Sequence, residues 1–417
     1  MKNMIAHQRT STTLDYFILL LLIFISGNLV FVSSTMLIIV FIFSLLLFIY
    51  RKKKFDRVAV YFLTFFTVIA LLQILKFNFF PVETYIGAYL KILVAYFVVK
   101  SIGDSFLEKY IRLMYFIAII SLVVYVLIRV SPGMDVFLID NFTIHMQGVD
   151  QERGLPRFSL GFYTVIPFAI ERNSGPFFEP GAFAGYLILA LMFNFITEKK
   201  KTDIKNIVLL ITILSTSSTT GFIALFVFFF FTYYKQVKNI FVKMGAVAII
   251  VLLGFYAYTT FDFLGEKIES QLEYAQEQGI EKSDDSQRFL SISRDMRDLK
   301  GHELIGRGGN DLTRYDLHPG ESIIIRTVGL TDILVRVGIP FFLYIFYLLY
   351  KSIYAYLATL QKKSHIYTIG IFASILVILM SETYFNYPLF WGLLFLQVIY
   401  KNTNVKNGSD NKMEAEI

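Results

Sequence analysis

Arg51-Lys-Lys-Lys-Phe-Asp-Arg57, followed by Val58-Ala-Val-Tyr-Phe-Leu-Thr-Phe-Phe-Thr-Val-Ile-Ala-Leu-Leu-Gln-Ile-Leu-Lys76, decides how this chain folds. A knot of cations gives way to a run close to the roughly 20 apolar residues that a helix needs to cross a bilayer. The same alternation recurs along all 417 residues, of which 56% are apolar and only 17% charged. Length therefore counts spans here, not soluble domains. Apolar run length predicts an all-α, polytopic membrane protein, a single membrane domain over residues 1–417 with about twelve transmembrane helices. They fall near Leu14–Val30, Met36–Tyr50, Val58–Lys76, Tyr85–Val99, Ile111–Val130, Pro180–Ile196, Ile207–Ser217, Gly221–Tyr234, Met244–Thr260, Thr327–Tyr350, Ile366–Tyr384 and Pro388–Tyr400. Ser215-Thr-Ser-Ser-Thr-Thr-Gly221 puts polar and small residues in the middle of one long run. It predicts a break into two helices with a tight hairpin tip. The first apolar run has no small-residue cleavage site after it and reads as a retained helix.

The basic clusters at Arg51–Arg57, Lys199–Lys205, Lys235–Lys243 and Lys351–Lys363 all fall on one side of this pattern. The positive-inside rule assigns that side and both termini to the cytoplasm, with a disordered tail over 401–417. Two long loops, 131–179 and 261–326, then face outward. The two sides differ in chemistry. Outside the inner loops and termini, eleven of sixteen basic residues are arginine, against four of twenty-three within them. Orientation needs only positive charge, whereas bidentate recognition of phosphate or carboxylate needs a guanidinium. The outer arginines therefore read as an anion-binding face, or as ion pairs with Asp284, Asp285, Asp295 and Asp298.

Composition also excludes chemistry. The chain has no Cys, so disulfides, thiolate metal sites and cysteine nucleophiles are ruled out. Its five His residues lack metal-ligand spacing and no DxD pair occurs. No metal, no cofactor and no nucleic-acid partner is expected. The polar content concentrates at Arg172-Asn-Ser-Gly-Pro-Phe-Phe-Glu179-Pro-Gly-Ala-Phe-Ala-Gly-Tyr186, a charged turn at the mouth of an apolar helix. Ionisable groups at membrane depth are costly and commonly functional. Pro180 suits a first helical turn, and the helix start offers free N–H groups to an anion. In the second outer loop, Phe289, Ile292, Met296 and Leu299 form one apolar stripe flanked by Arg288 and Arg297. That helix lies at the membrane surface or caps the protein's own core. Leu264, Ile268 and Leu272 mark another short helix, and Leu304-Ile-Gly-Arg-Gly-Gly-Asn-Asp311 is a turn whose backbone can approach a ligand. Within the spans, Asp332 and Arg336 are four apart and can neutralise one another. Lys91 pairs with a carboxylate such as Glu382, snorkels outward, or holds a phosphate. Phe162, Tyr163, Phe177, Phe178 and Tyr315 are candidates for a sugar-stacking groove.

Four of these segments, in this order, resemble the bacterial O-antigen polymerase and O-antigen ligase superfamily. They are Arg172-x-x-Gly-x-Phe-x-Glu-Pro-Gly-x-Phe-Ala184, the polar tip Ser215–Gly221, Arg288 leading into Leu304-Ile-Gly-Arg-Gly-Gly309, and Glu321-Ser-Ile-Ile-Ile-Arg-Thr-Val-Gly329 running into Val337-Gly-Ile-Pro340. Ligase relatives carry a His in the fourth segment; here Glu321 stands at the matching position and His318 three residues before it. The resemblance implies a metal-independent, GT-C-like glycosyltransferase of the bacterial inner membrane. It would act on undecaprenyl-pyrophosphate-linked oligosaccharides at the periplasmic face, with a flippase and a chain-length regulator as partners. On that reading Arg172 and Arg288, then Arg297, Arg307 and Arg326, hold the pyrophosphate, and Glu179, Glu321 or His318 serves as the base. Glu179 reads equally as an ion pair that fixes Arg172. Ligase activity on lipid A core and lipid-linked oligosaccharide flipping are the alternatives.

Overall fold

The computed structural model describes residues 2–144, 157–197, 203–234, 288–315, 326–362 and 364–400. The expected Met244–Thr260 span, the short helix at 264–272, His145, His318 and Glu321 lie outside the described residues. What is described is helical apart from a two-residue antiparallel hairpin, Phe158–Ser159 with Thr164–Val165. The helices are α1 (Lys2–Phe24), α2 (Ser34–Tyr50), α3 (Arg57–Phe77), α4 (Val82–Ile102), α5 (Phe106–Val130), α6 (Met134–Phe142), α7 (Pro180–Thr197), α8 (Ile204–Ser215) and α9 (Thr219–Tyr234). After these come α10 (Arg288–Leu299), α11 (Asp311–Arg314), α12 (Gly329–Thr359), α13 (His365–Leu379), α14 (Pro388–Leu394) and α15 (Leu396–Tyr400).

Local chemistry sets their ends. The Ser33 side chain caps α2 by accepting from the Met36 N–H at 3.2 Å. Asn78, left-handed at φ 47°, ends α3, and Pro388 starts α14 where a missing N–H costs nothing. Most of the helices are apolar nearly all round, as membrane or deep-core helices are; α10 and α11 are the polar exceptions. Four helical runs are long and apolar enough to cross a membrane: Arg57–Phe77, the joined Val82–Val130, Pro180–Thr197 and Gly329–Thr359. Twelve crossings are not seen among the described residues. The apolar part of α1 (Thr12–Phe24) and helices α2, α8, α9 and α13 are shorter apolar stretches among the described residues. Ile42, Leu46, Leu75, Phe116 and Val123 point outward from α2, α3 and α5, an apolar surface that fits lipid rather than water.

α7 is the axis of the bundle. Every residue from Ala182 to Ile196 is buried, and α5, α8 and α9 pack around it. The expected break at Ser215–Gly221 is present, since α8 ends at Ser215 and α9 starts at Thr219. The two helices then diverge instead of forming a tight hairpin, α8 lying along α5 and α7 and α9 along α13. At one end of the bundle the basic clusters meet carboxylates: Asp15 takes Arg51 at 2.6 Å and Lys109 at 2.7 Å, and Asp56 takes Lys100 at 2.7 Å. The loops gather at the other end.

α12 is broken there. Gly338 adopts φ 75°, ψ 166°, and two residues later Pro340 lacks an N–H and its ring would meet the Arg336 carbonyl in a straight helix. The carbonyls freed by the break are taken up by the 303–309 loop. The Arg307 N–H donates to Val335 O (2.8 Å), the Gly308 N–H to Arg336 O (2.9 Å), and the Ile339 N–H returns to Glu303 O (2.7 Å). Gln73 adds its amide to Ile305 O at 2.6 Å and Arg336 O at 2.8 Å. Non-helical backbone at membrane depth persists where protein satisfies it in this way. The glycine-rich turn thus approaches α12 closely: a Cβ on Gly306 would lie 2.6 Å from both Gly338 N and Val335 O.

Candidate functional site

Arg172-Asn173 docks onto the end of α8. The Asn173 N–H donates to Ser215 O at 2.9 Å and its amide to Ser215 Oγ at 3.0 Å, while Arg172 Nε donates to Thr216 O at 3.1 Å. Gly175 follows at φ 51°, where a Cβ would run into the Phe183 ring at 2.6 Å. That turn lets Phe177 stack on Tyr186 with ring centres 4.5 Å apart. The chain then enters α7 at Pro180 with Glu179 just ahead of it.

A pocket of about 190 Å³ opens at this junction, lined by Arg157, Arg172, Glu179, Gly181, Ser218–Thr220, Thr327 and Glu382. Two carboxylates converge on its floor. A Cβ on Gly181 would sit 3.0 Å from Glu382 Oε1 and 3.5 Å from Glu179 Oε1. Arg157 Nη2 stands 3.7 Å from Glu179 Oε2. Guanidiniums, carboxylates and hydroxyl side chains therefore share one cleft at the N-terminal, electropositive end of a buried helix. The first two segments singled out in the sequence are brought together here, with Thr327 from the fourth. Arg157 and Glu382 were missed. Their only sequence signals are a basic residue in the outer loop and the polar triplet Ser381-Glu382-Thr383 after an apolar helix.

The other expected residues go elsewhere. Arg326 joins a buried charge cluster between α10, α11 and the start of α12. It lies 2.9 Å from Asp298 and 3.3 Å from Asp295. Arg314, fully buried, reaches Asp295 at 2.5 Å, Asp298 at 3.2 Å and Asp332 at 3.0 Å. Arg336 closes the set at 2.8 Å from Asp332, the four-residue pairing read from the sequence. Burial pushes the Asp295 carboxyl up, against the pull of Arg314. Burial works against the Arg314 charge, but Asp332, Asp295 and Asp298 outweigh it and raise its guanidinium further. Arg307 is buried alongside, its Nε donating to the Asp298 carbonyl at 2.5 Å. Arg297 is half-exposed, with Nε 3.8 Å from Asp298. Arg288 opens α10, and its side chain lies outside what is described.

α10 buries more than its apolar stripe. Leu299 of the stripe is buried, but so are Ser291, Arg294, Asp295 and Asp298, while Met296 is 41% exposed. The helix caps the protein's own interior with a largely polar face, because the cations that recruit it come from α11 and from Arg326. The sugar-stacking groove does not assemble either. Phe177 is core, Tyr163 packs in a small cluster with Ile128 and Leu160, Phe178 rests on Tyr387, and Tyr315 lies beneath Arg314 and Arg326. Phe162 alone of the five is exposed.

A larger cavity of about 550 Å³ lies at the same end, between the α1–α2 turn, the C-terminal half of α3, the N-terminal half of α4, Gly308–Gly309 and the first part of α12. Lys91 faces it, and Glu382 lies in the other pocket, so the expected Lys91–Glu382 pair does not form. The two spaces share a wall where Gly329 crosses the Glu382–Thr383 backbone, so close that a Cβ on Gly329 would overlap Glu382 O. The chain matches no established family pattern and no curated protein sequence.

Proposed function

We propose that this protein is a polysaccharide polymerase. It would join undecaprenyl-pyrophosphate-linked repeat units of an O-antigen, capsule or exopolysaccharide at the periplasmic face of a bacterial inner membrane, with both termini cytoplasmic. The observation that carries the reading is the convergence of Arg172, Glu179, the Ser218–Thr220 tip and Thr327 in one pocket at the start of α7. A hydroxyl of the acceptor sugar attacks the anomeric carbon of the donor. The new C–O bond forms as the bond from that carbon to the pyrophosphate oxygen breaks. Undecaprenyl pyrophosphate leaves with the electron pair, and the hydroxyl proton passes to a carboxylate, Glu179 or Glu382. Arg157, Arg172 and the helix end supply positive charge where the leaving oxygen becomes negative, so a metal ion is not required for that role.

Replacing one well-placed donor of this kind costs roughly 3–4 kcal/mol, a factor of about 10²–10³. Arg172→Ala should therefore abolish long-chain product with normal amounts of protein in the membrane. Arg288→Ala, from the family-matching outer helix, should do the same. Purified protein incubated with undecaprenyl-pyrophosphate repeat units alone should yield lipid-linked multimers. A normal glycan ladder from both variants would overturn the site assignment. Transfer only after lipid A core is added would make the protein a ligase.

A second reading, a lipid-linked oligosaccharide flippase, is favoured by the break in α12, since discontinuous helices line substrate paths in transporters. Translocation in vesicles without any covalent product would establish it.

A further inference from the structure

The 550 Å³ cavity beside the Arg172–Glu179 pocket has no role in the mechanism above. Its size is that of a ligand site, not of a packing defect. Its lining is mixed in a specific way. Lys91 and Arg336 bring two cations, and Glu83 and Asp332 bring two anions. An isolated phosphate would gain from the first pair and be repelled by the second. A ligand that both donates and accepts hydrogen bonds can use all four.

The polar groups are also held ready. Asn386 Oδ1 accepts from Arg336 Nη1 at 2.8 Å, and Tyr85 Oη donates to Gln73 Oε1 at 3.1 Å. Asn310 reaches Thr84 Oγ1 at 3.2 Å, tying the glycine-rich loop to the start of α4. Lys91 makes no hydrogen bond or ion pair among the described residues, and it lines the cavity. It is an ammonium aimed into an open space. Trp391, Tyr387 and Phe66 add aromatic surface to the lining. Planar polar side chains facing hydroxyls, with aromatic faces for C–H edges, are what a sugar ring asks for.

We propose that this cavity is a saccharide-binding site that holds the hydroxyl-bearing acceptor glycan, an assignment of role that rests on the glycosyl-transfer reading. Its position fits that role. A transferase must bring two substrates together at one point, and this cavity abuts the charged pocket across a single backbone crossing, Gly329 against Glu382–Thr383. Lys91, Asn386 and Glu83 would orient the acceptor by its hydroxyls.

The chain carries its own reporter. Its single tryptophan, Trp391, lines the cavity and is fixed by an indole N–H bond to Phe385 O at 2.8 Å. The full-length protein in detergent is titrated with the repeat-unit oligosaccharide, freed of its lipid and pyrophosphate by mild acid, and separately with inorganic pyrophosphate. Tryptophan emission should change saturably with the oligosaccharide and stay flat with pyrophosphate. Gly87→Phe should weaken the oligosaccharide response at least tenfold. A Cβ at Gly87 meets nothing within 4 Å, so the ring fills the cavity without displacing backbone. Lys91→Met should weaken it to a similar extent, and Arg172→Ala should leave it within about threefold.

A response to pyrophosphate alone overturns the proposal, as does a flat oligosaccharide titration or wild-type binding by a folded Gly87→Phe protein. The two readings fail separately. Saturable binding without polymer formation removes the polymerase and keeps the saccharide site. Polymer formation without cavity binding does the reverse.

Discussion

Arg314 offers the sharpest test of how α10 is held. Its guanidinium is buried among Asp295, Asp298 and Asp332, which Arg326, Arg336 and, at 3.8 Å, Arg297 also face. Arg314→Met keeps much of the volume but takes from the three buried carboxylates the one guanidinium that reaches all of them. Removing one partner of a buried ion pair costs about 3–5 kcal/mol, chiefly because the remaining charge stays desolvated. The easiest escape is for α10 to leave α12, exposing Asp295 and Asp298 to water. The undocked population should rise by a factor of about 10² to several thousand, since about 1.4 kcal/mol is a factor of ten. Ser291 reports this directly. It is 1% exposed, and its Oγ lies 3.2 Å from Thr327 Oγ1. The chain has no cysteine of its own, so a single Ser291→Cys can be followed by maleimide labelling, whose rate tracks the open fraction when opening and closing are fast. Adding Asp295→Asn to Arg314→Met rebalances the cluster and should recover about half of the lost protection. If Arg314→Met leaves the labelling rate of the Ser291→Cys thiol unchanged within about threefold, the account is refuted, because the cluster is then not what seats the helix.

Gly329→Ala should cost both stability and product, since the added methyl would also lie 2.8 Å from Thr383 Cα on a backbone that cannot yield; a drop in melting temperature in detergent checks the first. Gly306→Ala should detach the 303–309 loop from the break in α12, for its φ of 70° and its 2.6 Å approach to Gly338 N both exclude a side chain; limited proteolysis within the loop should speed up. Burial raises the folded-state Asp295 carboxyl above its unfolded value, so the folded form binds the proton more tightly. Its contribution favours folding at low pH and is lost as pH rises through the folded value. Asp295's own contribution to α10 docking should accordingly grow on acidification toward the ordinary carboxylate range. Asp295→Asn should flatten that slope, as Ser291→Cys labelling at stepped pH would show.

Much of the helical layout is legible in the sequence because it depends on local composition. Apolar runs between cation clusters give α2 and α3 nearly their observed limits and α7 and α9 nearly their observed starts, and the polar stretch after Ser215 correctly separates α8 from α9. Asp332 and Arg336 are legible for the same reason, both lying on one turn of one helix. What fails depends on partners distant in the chain. The stripe of Phe289, Ile292, Met296 and Leu299 reads as the buried face of α10; Leu299 is buried, yet Met296 is exposed because Arg314 and Arg326 pair with carboxylates on the helix's polar side. Phe177 reads as a candidate sugar platform until Tyr186 and Phe183 are found stacked against it. The break in α12 is written in Val337-Gly-Ile-Pro340 but hidden by the apolar run that continues through it. In the charged pocket, Arg172 and Glu179 are legible because charge at a helix mouth is conspicuous. Glu382 is not, as it comes from a polar turn some 200 residues away along the chain.

The break at Gly338 also fits the protein to the thickness of its membrane. An unbroken helix of 31 residues would be about 46 Å long, well beyond a hydrocarbon core of about 30 Å, and would have to tilt steeply or thicken the lipid around it. Cut at Gly338, the piece from Ile339 to Thr359 measures about 31 Å, the length that such a core asks for. The piece before the break, with Asp332 and Arg336, is then free to lie among polar loops instead of acyl chains. Restoring continuity there would do more than fill a cavity wall. It would give the protein a span too long for its bilayer and draw an ion pair into the lipid.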